Sequence, residues 1–126
     1  MFKTLLFPID LSKETSEITC KAIQLAKEHQ SHITILSVFQ PERGMNNHEL
    51  TTADLNKTKE QIQESNITCD LLEREGKPAF IICDVAADLN VDLIMISTKG
   101  VNLENDSEST AARVIQLAPC PVLVVQ

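Results

Sequence analysis

The chain has 126 residues and a formal net charge of −7, with a pI near 4.8. That length suits one domain with a single core. The acidic balance excludes a nucleic-acid footprint and an anionic membrane surface as binding partners, and no apolar run approaches the ~20 residues of a membrane span.

Phe2, Phe7, Phe39 and Phe80 are the whole aromatic complement, so the core must be aliphatic. The segment before Asp10 lacks the basic start, long apolar stretch and cleavage site of a secretion signal, and a cytoplasmic location is expected. Cys20, Cys69, Cys83 and Cys120 form no CxxC pair and stand at no metal-ligand spacing from a histidine. Each sits in or beside an apolar segment, so four free, buried, structural thiols are expected and no metal.

Thr4 to Ile9 is a short apolar run ending at Asp10. It reads as a strand buried on both faces, as in parallel sheets. Ser12 can cap the helix that follows, where Ile18, Ala22, Leu25 and Ala26 recur at helical spacing and Lys13, Glu14, Lys27 and Glu28 face water. His32 to Phe39 is a second strand, which Pro41 ends. Pro41, Gly44 and the Asn46-Asn47 pair mark residues 41–49 as a loop. A polar helix from Leu50 to about Glu64 follows, with Leu55, Lys59 and Ile62 as its inner stripe.

Ile67 to Glu73 reads as a half-buried edge strand. Gly76-Lys77-Pro78 is a turn, with Pro78 placed for a first helical turn. Phe80, Ile81, Ile82, Val85, Ala86 and Leu89 are the apolar face of that helix, and Asn90 suits a left-handed stop. Val91 to Ser97 is a buried strand, Ser107 to Leu117 a helix, and Val122 to Val125 a final strand. Alternation of strands and helices predicts a doubly wound α/β fold, a parallel sheet with helices on both faces.

Ligands of such sheets bind beyond the carboxyl ends of the strands, where strand order reverses. Two strand ends carry suitable groups. Asp10 can accept from an amino group or a ribose hydroxyl, or can cap a helix together with Ser12. Ser97-Thr98-Lys99-Gly100 can meet phosphate, or can be an ordinary strand-to-helix turn. None of His29, His32 or His48 falls at a strand end beside this cleft, and Asp10 has no catalytic partner. No enzyme activity is expected.

Phe7-Pro8-Ile9-Asp10-Leu11-Ser12, Gly76-Lys77-Pro78, Asp92-Leu93-Ile94-Met95-Ile96 and Ala118-Pro119-Cys120-Pro121-Val122-Leu123-Val124-Val125 resemble the universal stress protein family. The resemblance covers the whole chain as a single domain, 1–126. It implies a five-stranded parallel sheet of order 3-2-1-4-5, the adenine nucleotide alpha hydrolase-like fold. It also implies a homodimer paired through the C-terminal strand, which would cover the apolar edge of Val122 to Val125. The function it implies is a stress-response and interaction module with an unknown protein partner.

ATP-binding members resemble one another in a loop written Gly-x-x-Gly, nine residues, then Gly-Ser or Gly-Thr. Carried over, the first Gly is Ser97, the second is Gly100 and the third is Glu108, with Ser109 as the hydroxyl partner. Seven residues separate Gly100 from Glu108, so the loop is shorter than the pattern. The cofactor-binding set implied is Pro8, Ile9, Asp10, Val38 (or Ser37), Ser97, Lys99, Gly100, Ser109 and Thr110.

Glu104, Asp106 and Glu108 put carboxylates where the polyphosphate would lie. A carboxylate ~4 Å from one phosphate charge costs about 1 to 4 kcal/mol, and a helix dipole offsets only ~0.3–1 kcal/mol. ATP is therefore expected to bind weakly or not at all unless Mg²⁺ bridges the acids. AMP, with less charge near these acids, is expected to bind no worse than ATP, the other reading being an empty or differently occupied cleft. The alternative reading is an adenine-nucleotide sensor, for AMP or for ATP with Mg²⁺, that couples ligand occupancy to partner binding.

Overall fold

The computed structural model describes residues 2–9, 16–39, 46–97 and 110–125. In chain order these hold β1 (Thr4–Pro8), α1 (Ser16–His29), β2 (His32–Phe39), α2 (Asn46–Glu64), β3 (Cys69–Glu75), α3 (Pro78–Leu89), β4 (Leu93–Ser97), α4 (Thr110–Leu117) and β5 (Val122–Val125). The strands form a single sheet in the order β3-β2-β1-β4-β5, parallel throughout.

Successive strand residues point to opposite faces, and this alternation sorts the core into two layers. Leu5, Phe7, Ile33, Ile35, Leu93 and Met95 pack with Ile18, Ala22, Ile23 and Ala26 of α1 and with Leu55 and Ile62 of α2. Leu6, Leu36, Ile94 and Ile96 pack on the other face with Ala79, Ile82, Cys83, Val85 and Ala86 of α3 and with Ala111 and Val114 of α4. The central strands are thus covered on both sides, which is why β1 and β4 read as unbroken apolar runs. Burying each Leu, Ile or Phe contributes roughly 1.5–3 kcal/mol.

Several elements differ from the sequence expectation. Helix α2 starts at Asn46, not Leu50. Asn46 and Asn47, read as loop punctuation, are its first two helical residues. On its inner face Thr58 replaces Lys59 between Leu55 and Ile62. Thr58 is buried, and its hydroxyl donates to the Asp54 carbonyl at 3.1 Å, which satisfies it within its own helix. Strand β3 begins and ends two residues later than expected, because it pairs with β2 from Ile33–Cys69 through Phe39–Glu75. The register with its neighbour, not its apolar content, sets its end.

On α3, Ala79 and Cys83 point inward while Phe80 and Leu89 are exposed. Cys20 is exposed as well, since it lies on the outer side of α1 from Thr19 and Ile23. Cys69 and Cys83 are buried and Cys120 half-buried, and all four thiols are free.

Helix ends obey local rules. Pro78 opens α3, and Asn90 closes it at φ 52°, ψ 47°. Gln30 and Asn66 also take positive φ, at 54° and 66°. Asn tolerates that region, but nothing about Gln30 signals it. Gly76 sits at φ 146°, and a Cβ there would lie 2.8 Å from Cγ1 and Cδ1 of Ile81.

The β1–β4 pair is clasped at its amino end. Asp92 Oδ2 accepts from the Lys3 and Thr4 N–H groups at 2.8 and 3.1 Å. The Asp92 N–H donates back to the Thr4 carbonyl at 3.0 Å and to its hydroxyl at 3.1 Å. The Thr4 N–H bond, followed by that from Lys3, holds the Asp92 carboxyl below its ordinary value.

Two outcomes follow from this geometry. Gly76→Ala should lower unfolding stability by about 2 kcal/mol, from backbone strain and the clash with Ile81; an unchanged denaturant midpoint would contradict it. The lowered carboxyl of Asp92 contributes stability that is complete above the ordinary carboxylate range, about pH 4, and is lost as pH falls through its folded value. Asp92→Asn should therefore be less stable than the parent at neutral pH, with the two melting curves converging in acid. A constant difference down to acid would show that the charge is not involved.

Candidate functional site

Strand order reverses at β1. From β1 the chain leaves through α1 toward β2, and from β4 it leaves through α4 toward β5. The two helices pack on opposite faces, so a crevice opens between them at the carboxyl ends of β1 and β4.

The pairing shows where the strands part. β1 stays in register with β2 from Thr4 through Pro8, and the Ile9 N–H donates to the Leu36 carbonyl at 3.0 Å. Its register with β4 covers Leu5 and Leu6, although β4 continues to Ser97. Asp92 bonds the two strands at the amino end, and toward the carboxyl end Pro8 of β1 has no N–H to give to the ladder.

Of the residues expected at the site, Pro8, Ile9, Val38, Ser97 and Thr110 are described. Pro8 and Ile9 end the central strand and are half-buried; Val38 and Ser97 are half-buried near the ends of its two neighbours. Ser37 beside Val38 is buried. Thr110 is half-buried at the start of α4. Ile9 packs against the α1–α2 layer and Val38 against the α3–α4 layer, so the crevice floor joins both layers. Asp10, Lys99, Gly100 and Ser109 lie outside the described residues, as do Ser12, Glu104, Asp106 and Glu108.

One pair near these helix starts has no clear signal in the sequence. Phe80 and Arg113 lie in the first turns of α3 and α4. The guanidinium carbon sits 5.9 Å from the centre of the Phe80 ring, a cation–π contact. Phe80 was expected in the core; its partner is instead a cation on the neighbouring helix. A Phe one position off the inner stripe beside a later helical Arg is too weak a pattern to read from sequence.

Shifted titrations lie elsewhere. Burial pushes the Cys69 thiol up to about 11 at the amino end of β3, and burial also raises Cys83 and Cys120. Such thiols are poor nucleophiles. Among the described residues no three or more His, Cys, Asp or Glu side chains are grouped to hold a metal ion. Among the same residues no helix is long and apolar enough to cross a membrane.

The described part of this end of the sheet offers main chain, the aliphatic side chains of Pro8, Ile9 and Val38, and the hydroxyls of Ser97 and Thr110. Comparison with known proteins identifies the family. The model of the universal stress protein family matches residues 1–126. A universal stress protein of Synechocystis sp. is 40% identical over 135 residues, covering 99% of this chain and 86% of that one. The structure of a universal stress protein from Archaeoglobus fulgidus in complex with dAMP superposes with a TM-score of 0.78 at 15% identity, covering 99% of this chain and 98% of that one. A universal stress protein in complex with cAMP gives a TM-score of 0.76 at 20% identity, covering 99% and 97%. The sheet order and these neighbours identify the nucleotide alpha hydrolase-like fold. The chain belongs to the universal stress protein family.

Proposed function

We propose that this universal stress protein is a cytoplasmic, non-catalytic interaction module, a homodimer through β5. Its crevice takes an adenine nucleotide with a single phosphate in preference to ATP with Mg²⁺. One observation carries the choice of ligand: the segment from Ser97 to Ser109 holds one glycine, Gly100, and three acids, Glu104, Asp106 and Glu108.

The adenosine end has suitable partners. Asp10 accepts from the ribose or base, Pro8 and Ile9 supply the wall, and Ser37 and Val38 lie beside the base. A lone phosphate meets Ser97, Lys99, Gly100, Ser109 and Thr110. Further phosphates run into the acids, each contact costing about 1 to 4 kcal/mol at ~4 Å. The complexes of relatives with cAMP and dAMP support a ligand of this size.

The two sheet edges support the dimer. β3 carries Asp70, Glu73, Arg74 and Glu75 on one edge, and charge guards an edge against pairing. β5 reads Val122-Leu123-Val124-Val125 on the other, with none. Leu123 is 40% exposed and Ile115 on the adjoining α4 55%. A second copy would cover both, leaving occupancy of the crevice to alter what an unidentified protein partner meets.

In calorimetry MgATP should bind no tighter than roughly 100 μM, about −5.5 kcal/mol, and AMP at least as tightly. Glu108→Gly should tighten ATP by about tenfold, from one repulsion of ~1.4 kcal/mol removed. Micromolar MgATP binding by the unmodified protein would overturn the ligand choice and favour an ATP sensor.

Sedimentation equilibrium should find a dimer, and Leu123→Lys should give a monomer. Leu123 is the informative position because Val122 and Val124 pack into the α3–α4 core. A Leu123→Lys protein that remains dimeric would place the interface elsewhere.

A further inference from the structure

His32 opens β2 at the amino end of the sheet, the end opposite the crevice. Its ring lies between two side chains of the neighbouring segment. Nδ1 is 2.7 Å from the Thr68 hydroxyl, and Nε2 is 3.0 Å from Asp70 Oδ2. Parallel register produces this placement. Ile33 pairs with Cys69, and its N–H donates to the Thr68 carbonyl at 3.0 Å, so His32 stands beside Thr68. Asp70, two residues on, projects from the same face. The group is open to solvent: Thr68 is exposed, and the His32 and Asp70 side chains are 31% and 68% accessible.

Hydrogen-bond chemistry selects the tautomer. A carboxylate at neutral pH only accepts, so Nε2 carries the proton toward Asp70. In the neutral ring Nδ1 then holds a lone pair, and the Thr68 hydroxyl donates to it. The result is a hydroxyl on a base whose ring is oriented by a carboxylate. That order of groups activates an alcohol for nucleophilic attack, here with the two ring nitrogens in exchanged places.

We propose that Thr68 is a site of self-acylation by activated acyl donors, esters with a good leaving group. Thr68 Oγ1 attacks the acyl carbonyl and forms a new C–O bond. Its proton passes to His32 Nδ1, and Asp70 stabilises the imidazolium. Collapse breaks the bond to the leaving group, which departs with the proton that His32 returns. The outcome is one acyl group per chain on Thr68, with no change in oxidation state. Acylation would remove the hydroxyl donor that ties the start of β3 to β2.

The test is incubation of the intact protein with p-nitrophenyl acetate, followed by peptide mapping by mass spectrometry. Thr68 should carry one acetyl group, and Thr68→Ser should still be labelled at that position. His32→Ala should slow labelling of residue 68 by about 100-fold, the usual contribution of a positioned base, and Asp70→Asn should slow it by less. Circular dichroism establishes that each variant is folded. If His32→Ala unfolds, ¹⁵N NMR of the unmodified protein decides: the Nε2–H tautomer supports the assignment and the Nδ1–H tautomer overturns it. Labelling confined to lysines and cysteines, or an unchanged rate in folded His32→Ala, would also overturn it.

Discussion

The crevice depends on how β1 and β4 are held. They are neighbours, yet their following helices leave on opposite faces. Nothing in a parallel ladder alone would open one end and close the other. Asp92 supplies the asymmetry. Its carboxylate and its N–H both bond to the start of β1, while the register between the strands stops at Leu6 and Ile94. The pair is clasped at the end opposite the proposed site, and its register stops short of the other end. Buried layers on both faces then hold the strands in place, because close-packed cores transmit small displacements instead of absorbing them.

Much of this was legible in the sequence wherever one physical rule dominated. Unbroken apolar runs such as Leu5 to Phe7 and Leu93 to Ile96 have few solutions other than a doubly covered strand. Pro78 and Asn90 mark the ends of α3 through backbone preference alone. The failures fall where two rules compete. Asn46 can break a chain or start a helix. Thr58 can be buried because its hydroxyl bonds within its own helix, which periodicity of apolar residues does not register. Phe80 is apolar and yet faces outward, with a guanidinium for a partner. The late end of β3 is a property of its neighbour's length, and no local pattern contains it.

The site is legible in a different way. Its position follows from topology, since α/β sheets bind at the reversal of strand order whatever their sequence. Its ligand depends on side chains, and there the chain departs from the ATP-binding pattern at Ser97 and Glu108. The proposed nucleotide would lie at the strand ends, and the charge of the segment between β4 and α4 argues for a short phosphate chain. The same division separates the sheet edges. β3 is charged and β5 is apolar, the contrast on which the proposed dimer through β5 rests.

The central claim is that the carboxyl ends of β1 and β4 form the nucleotide crevice. Titration of ¹⁵N-labelled protein with AMP tests it residue by residue. Amide shifts should concentrate at Ile9, Ser37, Val38, Ser97 and Thr110, and the amides of Lys3, His32, Thr68 and Asp92 at the clasped end should stay in place. Shifts centred on the clasped end, or none at millimolar AMP, would contradict the account.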